Sequence, residues 1–576
     1  MNVTAKTNTK LSLLAGFLLF SILAIYTFGL GNYGLFNVTE AYTAQISAEM
    51  LKTGNATTPP TFNGEKIVGQ YPLAHVLQMA AYHFLGVSAF AARLPFALLG
   101  FLFVLVVYNS MQHLIKQKRF SLVAAAVVGL NVPFVIFSKL GLPEGAFWFF
   151  TLSATLLLIG SIFDLNKNYI RVMIAGFLAG GAVLTGGLAG FVIPLVIGLA
   201  LALLRHQPSH NLAQLSPLTY LLAAFLAIFP WAVGFAKIEG AEALLAYSLE
   251  MVNASWLGGV EQGRVYPHQL AYYMAGFFPW SLFLFAALLR HFRHAPRYLT
   301  HPEIRLALPA ASYVWLVIVL GIFLWVEVEL STIFYAALLP TAILVADFFD
   351  NLAEKPLKRW HGVYLVPLCF VGAVGVMLLP QLIEAALGKG ALFEAVPYLN
   401  MLSPWSLPVA DTSTAYAMLN QPVDWGLYPV IVGALLLVGT LVGVFMMRHG
   451  GGYEAALFVG GGVLMALAVG AWSGFERVYE YREQPLDWMA KKIRRDHNEK
   501  TDHTIVYGAD LPSVRFEVAG VVSYIANPVQ ATRAAGRTLY LITDTPHLES
   551  LKQYLPKDAK PECIGGYCLV EVYRLH

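Results

Sequence analysis

Long runs of apolar residues alternate with short polar loops along this chain of 576 residues. A run of about twenty apolar residues is long enough to cross the hydrocarbon core of a bilayer as a helix. About thirteen runs approach this length. They lie near 11–31, 90–112, 121–138, 144–163, 170–185, 187–204, 215–236, 268–289, 306–325, 329–349, 362–381, 427–447 and 453–473. The pattern predicts a polytopic α-helical membrane protein.

Two polar-bearing regions interrupt this pattern. Between 32 and 89, apolar positions recur at helical spacing over 41–54, which predicts an amphipathic helix lying flat on the membrane surface. After Gly474 the runs HTIVYGA, FEVAGVVSYI, RTLYLITD and CLVEVYRL alternate with two helix patterns, which predicts a small α/β domain. We therefore divide the chain into a transmembrane domain over 1–475, which includes the loop 32–89, and a soluble domain over 476–576.

Charge supports the membrane assignment and gives it an orientation. Only 12% of the residues are charged, about half of the usual share in soluble domains. The net charge of +3 is too small for a nucleic-acid reader. Lys and Arg concentrate in the alternate loops HLIKQKRF, DLNKNYIR, RHQPSHN, RHFRHAPRYLTHPEIR, DNLAEKPLKRW and MRHGG. The positive-inside rule then places the N-terminus in the cytoplasm and the α/β domain outside.

Cys563 and Cys568 lie close together in the α/β domain. An external compartment permits a disulfide between them. The alternative is a pair of reduced thiols on a hairpin whose turn is Ile-Gly-Gly-Tyr, and the sequence leaves both possibilities open.

Candidate reactive groups gather in the predicted outer loops. Glu40 follows the first span and opens the amphipathic helix, and Glu144 opens the fourth span. Arg93, Lys139 and Arg264 are predicted on the same face, where cations suit the anionic head group of a lipid carrier. Each group also has an ordinary explanation, because carboxylates cap helices, loop charges are solvated, and cations anchor helices at the interface.

Short motifs extend this set along the chain. They are Thr39-Glu40 after the first helix, Gln70-Tyr71-Pro72-Leu73, Phe90-Ala91-Ala92-Arg93-Leu94-Pro95, Glu144, Leu184-Thr185-Gly186-Gly187, Tyr272-Tyr273…Pro279-Trp280 and Leu330…Tyr335…Pro340. In sequence and order they resemble motifs of the GT-C membrane glycosyltransferases, in particular the bacterial branch of lipid A aminoarabinose transferases and protein O-mannosyltransferase-like (PMT) enzymes. The resemblance covers nearly the whole chain.

The resemblance implies a GT-C fold and an inverting transfer of a sugar from a polyprenyl-phosphate donor to a lipid, glycan or protein acceptor. It also implies a monomer in the bacterial inner membrane, with a periplasmic C-terminal domain, no cofactor, no metal site and no nucleic-acid partner. Glu40 is then the candidate base, and Glu144 positions donor or acceptor. The candidate contacts of the donor phosphate and sugar are Gln70, Tyr71, Arg93, Lys139, Arg264 and Tyr335.

The chain departs from the family pattern at four motif positions. Thr39 stands where the family has an Asp, and Gly69 where it has an acidic residue. Gln70 and Gly186 each stand where the family has a Lys. The missing lysines predict a weaker hold on the carrier phosphate.

These departures favour an alternative function, a non-catalytic relative that binds glycolipid or joins a membrane complex. The retained carboxylates Glu40 and Glu144 favour an active transferase. A small-molecule transporter has little support, because the spans lack charged pairs in mid-membrane.

Overall fold

Helices account for most of the residues that the computed structural model describes. These are residues 2–573 except 38, 55, 58–59, 63–64, 68–69, 164–166, 206, 257–264, 293, 327, 329, 353–364, 379–424, 450, 497–501, 509–510, 519–521, 526, 534–537, 558 and 565. Through the membrane part, the helices are α1 (Asn2–Thr27), α2 (Thr39–Thr53), α3 (Pro72–Leu85), α4 (Ala89–Ile115), α5 (Lys118–Gly129), α6 (Val132–Lys139), α7 (Pro143–Phe163), α8 (Tyr169–Gly186), α9 (Ala189–Leu204), α10 (Pro208–Leu215), α11 (Pro217–Glu239), α12 (Ala241–Trp256), α13 (Pro267–Gly276), α14 (Trp280–Phe292), α15 (Ala295–Leu299), α16 (Ile304–Trp325), α17 (Leu330–Leu352), α18 (Leu365–Leu378), α19 (Tyr428–Arg448) and α20 (Gly452–Arg482).

Each predicted span coincides with a helix or with a bent pair of helices. In the described ranges, 8 helices are long and apolar enough to cross a membrane, or up to 10 if each bent pair forms one span. The three remaining predicted spans coincide with the shorter apolar helices Leu11–Thr27, Ala189–Leu204 and Leu365–Leu378. A polytopic helical membrane fold is therefore confirmed, and the count of thirteen crossings stays a prediction.

Two of the predicted spans are broken. α5 and α6 meet at 59°, and α13 and α14 meet at 114°. At the first break the Asn131 side chain accepts from Phe134 N over 3.0 Å, so that a new helix begins there. At the second, Pro279 has no backbone N–H to donate, so the helical hydrogen-bond ladder cannot continue through it.

The predicted loop 32–89, called here the first outer loop, packs against protein on more than one side. α2 and α3 pack together, and the small side chains Ala41, Ala44 and Ala48 lie in an apolar cluster with Tyr82 of α3. A short antiparallel hairpin, β1 (Thr61–Phe62) and β2 (Glu65–Lys66), follows α2. The prediction of a helix is confirmed, but α2 is buried under other elements instead of lying on a lipid surface.

A five-stranded sheet forms the centre of the C-terminal region. Its strands are β3 (Asp502–Tyr507), β4 (Val522–Ile525), β5 (Thr538–Asp544), β6 (Pro561–Ile564) and β7 (Tyr567–Tyr573), in the order β4-β3-β5-β7-β6. Its helices are α21 (Gln484–Asp496), α22 (Pro512–Glu517), α23 (Pro528–Arg533) and α24 (Thr545–Lys552). The first three strands in that order are parallel, and β7 runs antiparallel to both of its neighbours.

The sequence predicts the layout of this domain better than its boundaries. Leu486, Met489 and Ile493 of α21 pack on the sheet at the predicted helical spacing. Phe516 and Glu517, predicted in a strand, belong to α22, because Pro512 starts a helical turn there. The predicted domain boundary at 475 falls inside α20, which continues to Arg482.

The cysteine alternatives are resolved by the pairing of β6 with β7. Cys563 and Cys568 lie directly opposite each other on these antiparallel strands and form a disulfide. The two strands need only a tight turn, so the backbone already holds the sulfurs close together.

Loops with predicted cytoplasmic location contact one another at one end of the bundle. Arg205 Nη2 donates to Pro302 O over 2.9 Å, and Arg171 Nη2 lies 2.8 Å from His113 Nε2. The first outer loop and the α/β domain meet at the other end. These contacts agree with the charge pattern for the loops that the structure describes, and the side of the membrane that each end faces stays a prediction.

Close contact between α19 and α20 gives a stability prediction. A Cβ at Gly462 would lie 2.9 Å from Gly439 Cα and 3.0 Å from Leu435 O, which are backbone atoms that cannot move aside cheaply. At Gly461, on the same helix, no described atom lies within 4 Å. We expect Gly462→Ala to lower the free energy of unfolding by about 1–3 kcal/mol through overpacking. The measurement is chemical unfolding in detergent micelles.

The neighbouring Gly461→Ala variant is the matched control, because both substitutions gain the same helix propensity of about 1 kcal/mol. It should be neutral or stabilising. Equal effects of the two variants would contradict the close approach of α19 and α20.

Candidate functional site

Glu40 and Arg93 form a buried ion pair that joins the first outer loop to α4. Glu40 lies in the first turn of α2, and Arg93 lies near the start of α4. Arg93 donates from Nε to Oε1 and from Nη2 to Oε2, each over 2.7 Å. The Arg93 side chain is 0% exposed and the Glu40 side chain is 2% exposed. Both charges are therefore removed from water and compensate each other.

Backbone carbonyls take up the other donors of Arg93. Nη1 donates to Leu30 O over 2.8 Å and to Tyr33 O over 2.9 Å. Nη2 also donates to Gly34 O over 2.7 Å. All five N–H groups of the guanidinium are thus engaged with protein. Arg93 holds the turn that connects α1 to α2 and has no donor left for a phosphate.

Backbone amides complete the surroundings of Glu40. Phe36 N donates to Oε2 over 3.0 Å, and Gly141 N donates to Oε1 over 2.9 Å. Each carboxylate oxygen then accepts two hydrogen bonds, which fills its lone pairs. A general base must offer a lone pair to the proton that it removes. This geometry favours a scaffolding role for Glu40 and Arg93 over the predicted roles of base and phosphate ligand.

Lys139 also binds the end of α1. Its Nζ donates to Ile25 O over 2.9 Å and to Phe28 O over 2.7 Å, and the residue is buried. These are carbonyls of the last helical turn and the residue after it, where a positive charge is favourable. The predicted phosphate partner thus caps a helix in this structure.

Glu144 and Tyr335 lie together at the start of α7. Glu144 is half-buried in the first turn of this helix. The Tyr335 hydroxyl is buried, and it lies 3.6 Å from the position that a Cβ would take at Gly145. The Tyr335 ring stacks on Trp148, one turn along α7, with ring centroids 5.9 Å apart. The carboxylate therefore has an aromatic, poorly hydrated neighbourhood.

The other predicted contacts lie beyond this pair. Tyr71 immediately precedes α3 and packs against a cluster that includes Phe235 and Tyr247. The Tyr247 hydroxyl donates to the backbone oxygen of Gln70. These contacts hold the end of the first outer loop against α11 and α12. Arg264 lies outside the described residues.

A second buried polar group fixes the loop between α6 and α7. Ser47 Oγ lies 3.1 Å from His75 Nδ1 and 2.7 Å from Gln78 Oε1. Gln78 Nε2 donates to Gly141 O over 3.3 Å. Gly141 is therefore held through its N–H by Glu40 and through its C=O by Gln78. Burial lowers the pKa of His75 to about 4, so its ring is neutral at physiological pH.

The structure thus sorts five of the predicted residues into two groups. Glu40, Arg93 and Lys139 converge on the turn after α1, whereas Glu144 and Tyr335 form a separate pair beside it. Sequence reasoning missed the Ser47–His75–Gln78 network. Polar residues on the otherwise apolar faces of α2 and α3 were the available signal.

The chain is similar to proteins that are named as glycosyltransferases. Residues 9–238 match the family model described as dolichyl-phosphate-mannose-protein mannosyltransferase. A protein of Aquifex aeolicus is 24% identical over 383 residues, which cover 66% of this chain and 72% of that protein. The undecaprenyl phosphate-α-4-amino-4-deoxy-L-arabinose arabinosyl transferase of Pseudomonas savastanoi is 24% identical over 432 residues. These residues cover 73% of this chain and 76% of that protein.

Solved structures show the same fold. ArnT from Cupriavidus metallidurans in the apo state gives a TM-score of 0.71 at 15% identity, with 98% of each chain covered. The same protein bound to undecaprenyl phosphate gives a TM-score of 0.69 at 14% identity, with 96% of this chain and 97% of that chain covered. The resemblance to GT-C glycosyltransferases of the ArnT and PMT type, predicted from the motifs, is confirmed.

The two carboxylates are expected to differ in what they stabilise. Glu40→Gln removes the charge that compensates buried Arg93, and breaking such a pair costs about 3–5 kcal/mol. Glu144→Gln leaves that pair intact. We expect a large loss of unfolding free energy for the first variant and a change under about 1 kcal/mol for the second. The measurement is chemical unfolding of the purified chain in one detergent. Equal stability of Glu40→Gln and the native chain would argue against a scaffolding ion pair.

Neutral His75 gives a pH prediction. Its folded pKa of about 4 lies below the ordinary value near 6.5, so the unfolded chain binds the extra proton between these values. Its contribution to stability is fully present above about pH 6.5 and is lost as the pH falls toward 4. We expect His75→Gln to flatten the fall in unfolding free energy over this range by up to about 3 kcal/mol. Parallel pH curves for the variant and the native chain would contradict a buried neutral ring.

Proposed function

We propose that this chain, which has the GT-C fold, transfers a sugar from a polyprenyl-phosphate-linked donor to an acceptor on the outer face of the membrane. The observation that carries the proposal is the fold match over 96% of the chain to ArnT, a protein solved with undecaprenyl phosphate bound. The name of the Pseudomonas savastanoi relative, an arabinosyl transferase, supports the same donor class. The acceptor is a lipid, a glycan or a protein.

Glu144 is the carboxylate that this proposal places at the reaction. It is half-buried, and its helix turn faces the Tyr335 hydroxyl. In an inverting transfer, a carboxylate orients the acceptor hydroxyl and draws its proton as that oxygen bonds to the anomeric carbon, while the carrier phosphate leaves with the bonding electrons. Tyr335 then directs its hydroxyl toward the sugar or the acceptor. Glu40, with its lone pairs filled, shapes the loop beside this pair.

Cations must stabilise the departing phosphate. Arg93 and Lys139 are engaged with protein carbonyls. Of the predicted cations, the proposal therefore assigns the phosphate to Arg264, and it keeps Gln70 and Tyr71 as groups that hydrogen-bond the donor.

The proposal places the chain in the bacterial inner membrane as a multi-pass monomer with a periplasmic α/β domain. The disulfide between Cys563 and Cys568 supports this orientation, because disulfides persist in oxidising compartments such as the periplasm. The sorting of basic loops to the opposite end of the bundle supports it as well.

A non-catalytic glycolipid-binding subunit is the second candidate. It is favoured by one observation, the use of both Arg93 and Lys139 in structural contacts while Gln70 replaces the family lysine. A chain of this kind would bind a polyprenyl phosphate and would not cleave its sugar bond.

A sugar-transfer assay on the purified protein distinguishes these two functions. We expect the native chain to transfer sugar from a polyprenyl-phosphate-linked aminoarabinose or hexose to a lipid acceptor extract. Glu144→Gln should lower kcat by about 100-fold or more, the usual contribution of a positioned acid or base. Glu454→Gln is the matched control, because Glu454 is an exposed carboxylate in the first turn of α20 at the other end of the bundle.

Unchanged transfer by Glu144→Gln would remove that carboxylate from the mechanism. Binding of radiolabelled undecaprenyl phosphate without transfer from any donor would favour the non-catalytic subunit. If the chain neither binds undecaprenyl phosphate nor transfers a sugar, both functions are contradicted.

A further inference from the structure

Asn37 lies where the first outer loop, the end of α20 and the α/β domain meet. Its side-chain amide donates from Nδ2 to Glu483 Oε2 over 2.7 Å and to Ser513 Oγ over 2.6 Å. Its Oδ1 accepts from Ser513 N over 2.8 Å. Its own backbone N–H donates to Glu483 Oε1 over 3.3 Å. Every polar group of the Asn37 side chain is used, and the residue is only 8% exposed.

The contact continues along α22 beyond Ser513. Phe516 packs against the apolar cluster of α2, α3 and α4. The Arg515 guanidinium lies 4.7 Å from the centroid of the Phe62 ring, in the hairpin that follows α2. The α/β domain is therefore docked on the first outer loop by polar, apolar and cation–π contacts, with the Asn37 amide at the membrane-helix side.

A short chain of hydrogen bonds leads from Asn37 to the candidate site. Phe36, the preceding residue, donates its N–H to Glu40. Glu40 accepts from Gly141 N, in the loop that leads into α7 and Glu144. A movement of Asn37 would displace a donor of Glu40, and through Glu40 it would displace the loop that sets the first turn of α7.

We propose that Asn37 is a positioning residue, through which the docked α/β domain holds the first outer loop and the start of α7 in the geometry that sugar transfer requires. This inference rests on the proposed function, which assigns Glu144 to the reaction. Asn37 itself touches neither substrate nor the reacting atoms. The α/β domain then has a defined task, which is to brace the catalytic face from outside the membrane.

Asn37→Asp tests the chemistry of the junction with almost no change in shape. The new carboxylate replaces an N–H₂ donor opposite the Glu483 carboxylate, so two like charges face each other in a buried contact. We expect faster amide hydrogen exchange over 34–41 and over 512–517, which reports undocking. We expect kcat for transfer to fall by about tenfold or more, since the charge-assisted hydrogen bond to Glu483 and the hydrogen bond to the Ser513 hydroxyl are both lost.

A reciprocal exchange should restore the junction. In Asn37→Asp with Glu483→Gln, the glutamine N–H₂ donates to the new carboxylate, and its oxygen still accepts from the residue 37 N–H. Ser513 still donates its N–H and supplies a hydroxyl. We expect both exchange and kcat to return to within about threefold of the native values, which a general loss of packing would not allow.

Acid should partly rescue Asn37→Asp alone, because one proton between the facing carboxylates restores a hydrogen bond. The groups that face this junction include Asp487 of α21, which pairs with Lys491, Glu517 of α22, and Tyr479 of α20. These groups are the same in every variant, so the relevant quantity is the kcat of the variant divided by that of the native chain. This ratio should rise between about pH 8 and pH 5 and stay flat for the reciprocal double variant.

The outcomes are distinct. The positioning role is overturned if the double variant has the same low kcat and the same fast amide hydrogen exchange as Asn37→Asp. It is also overturned if Asn37→Asp keeps the native kcat. If the native chain transfers no sugar from any donor, the proposed function fails. Hydrogen exchange then still tests the junction, because unchanged exchange over 512–517 in Asn37→Asp would contradict docking through the amide.

Discussion

The buried pairing of Glu40 with Arg93 is the interaction on which the first outer loop of this protein depends. Removing two charges from water costs several kcal/mol per ion, and only a well-hydrogen-bonded arrangement offsets that cost. Here the guanidinium reaches the turn after α1, and the carboxylate reaches the loop before α7. Three stretches of chain that are far apart in sequence are thereby fixed around one pair of charges, and Glu144 is placed beside them.

The membrane helices can be predicted from the sequence because each one is a run of apolar residues. Every predicted span coincides with helical structure, yet the breaks at Asn131 and Pro279 were not predicted, since an apolar run does not show where its axis turns. α2 was predicted as a helix on lipid, but it is covered by protein. Its alanines suit either surface, and part of its cover, α22, lies more than 450 residues later in the chain.

The candidate site was predictable in its residue types and less so in their roles. The motifs single out Glu40, Arg93, Lys139, Glu144 and Tyr335, and these residues lie around the turn after α1 and the start of α7. A sequence cannot show that every N–H group of Arg93 donates to protein. Three of the acceptors are backbone carbonyls, which every residue type has. The contacts of Asn37 could not be predicted from the sequence, since its partners lie 446 and 476 residues away.

A double-mutant cycle tests the central ion pair most directly. The cycle compares the free energies of unfolding of the native chain, Glu40→Gln, Arg93→Met and the double variant in the same micelles. If the two side chains compensate each other in a dry site, the double variant is less destabilised than the two single variants together, by about 2 kcal/mol or more. Additive effects would mean that the two charges do not depend on each other, and would contradict the account of how this face is built.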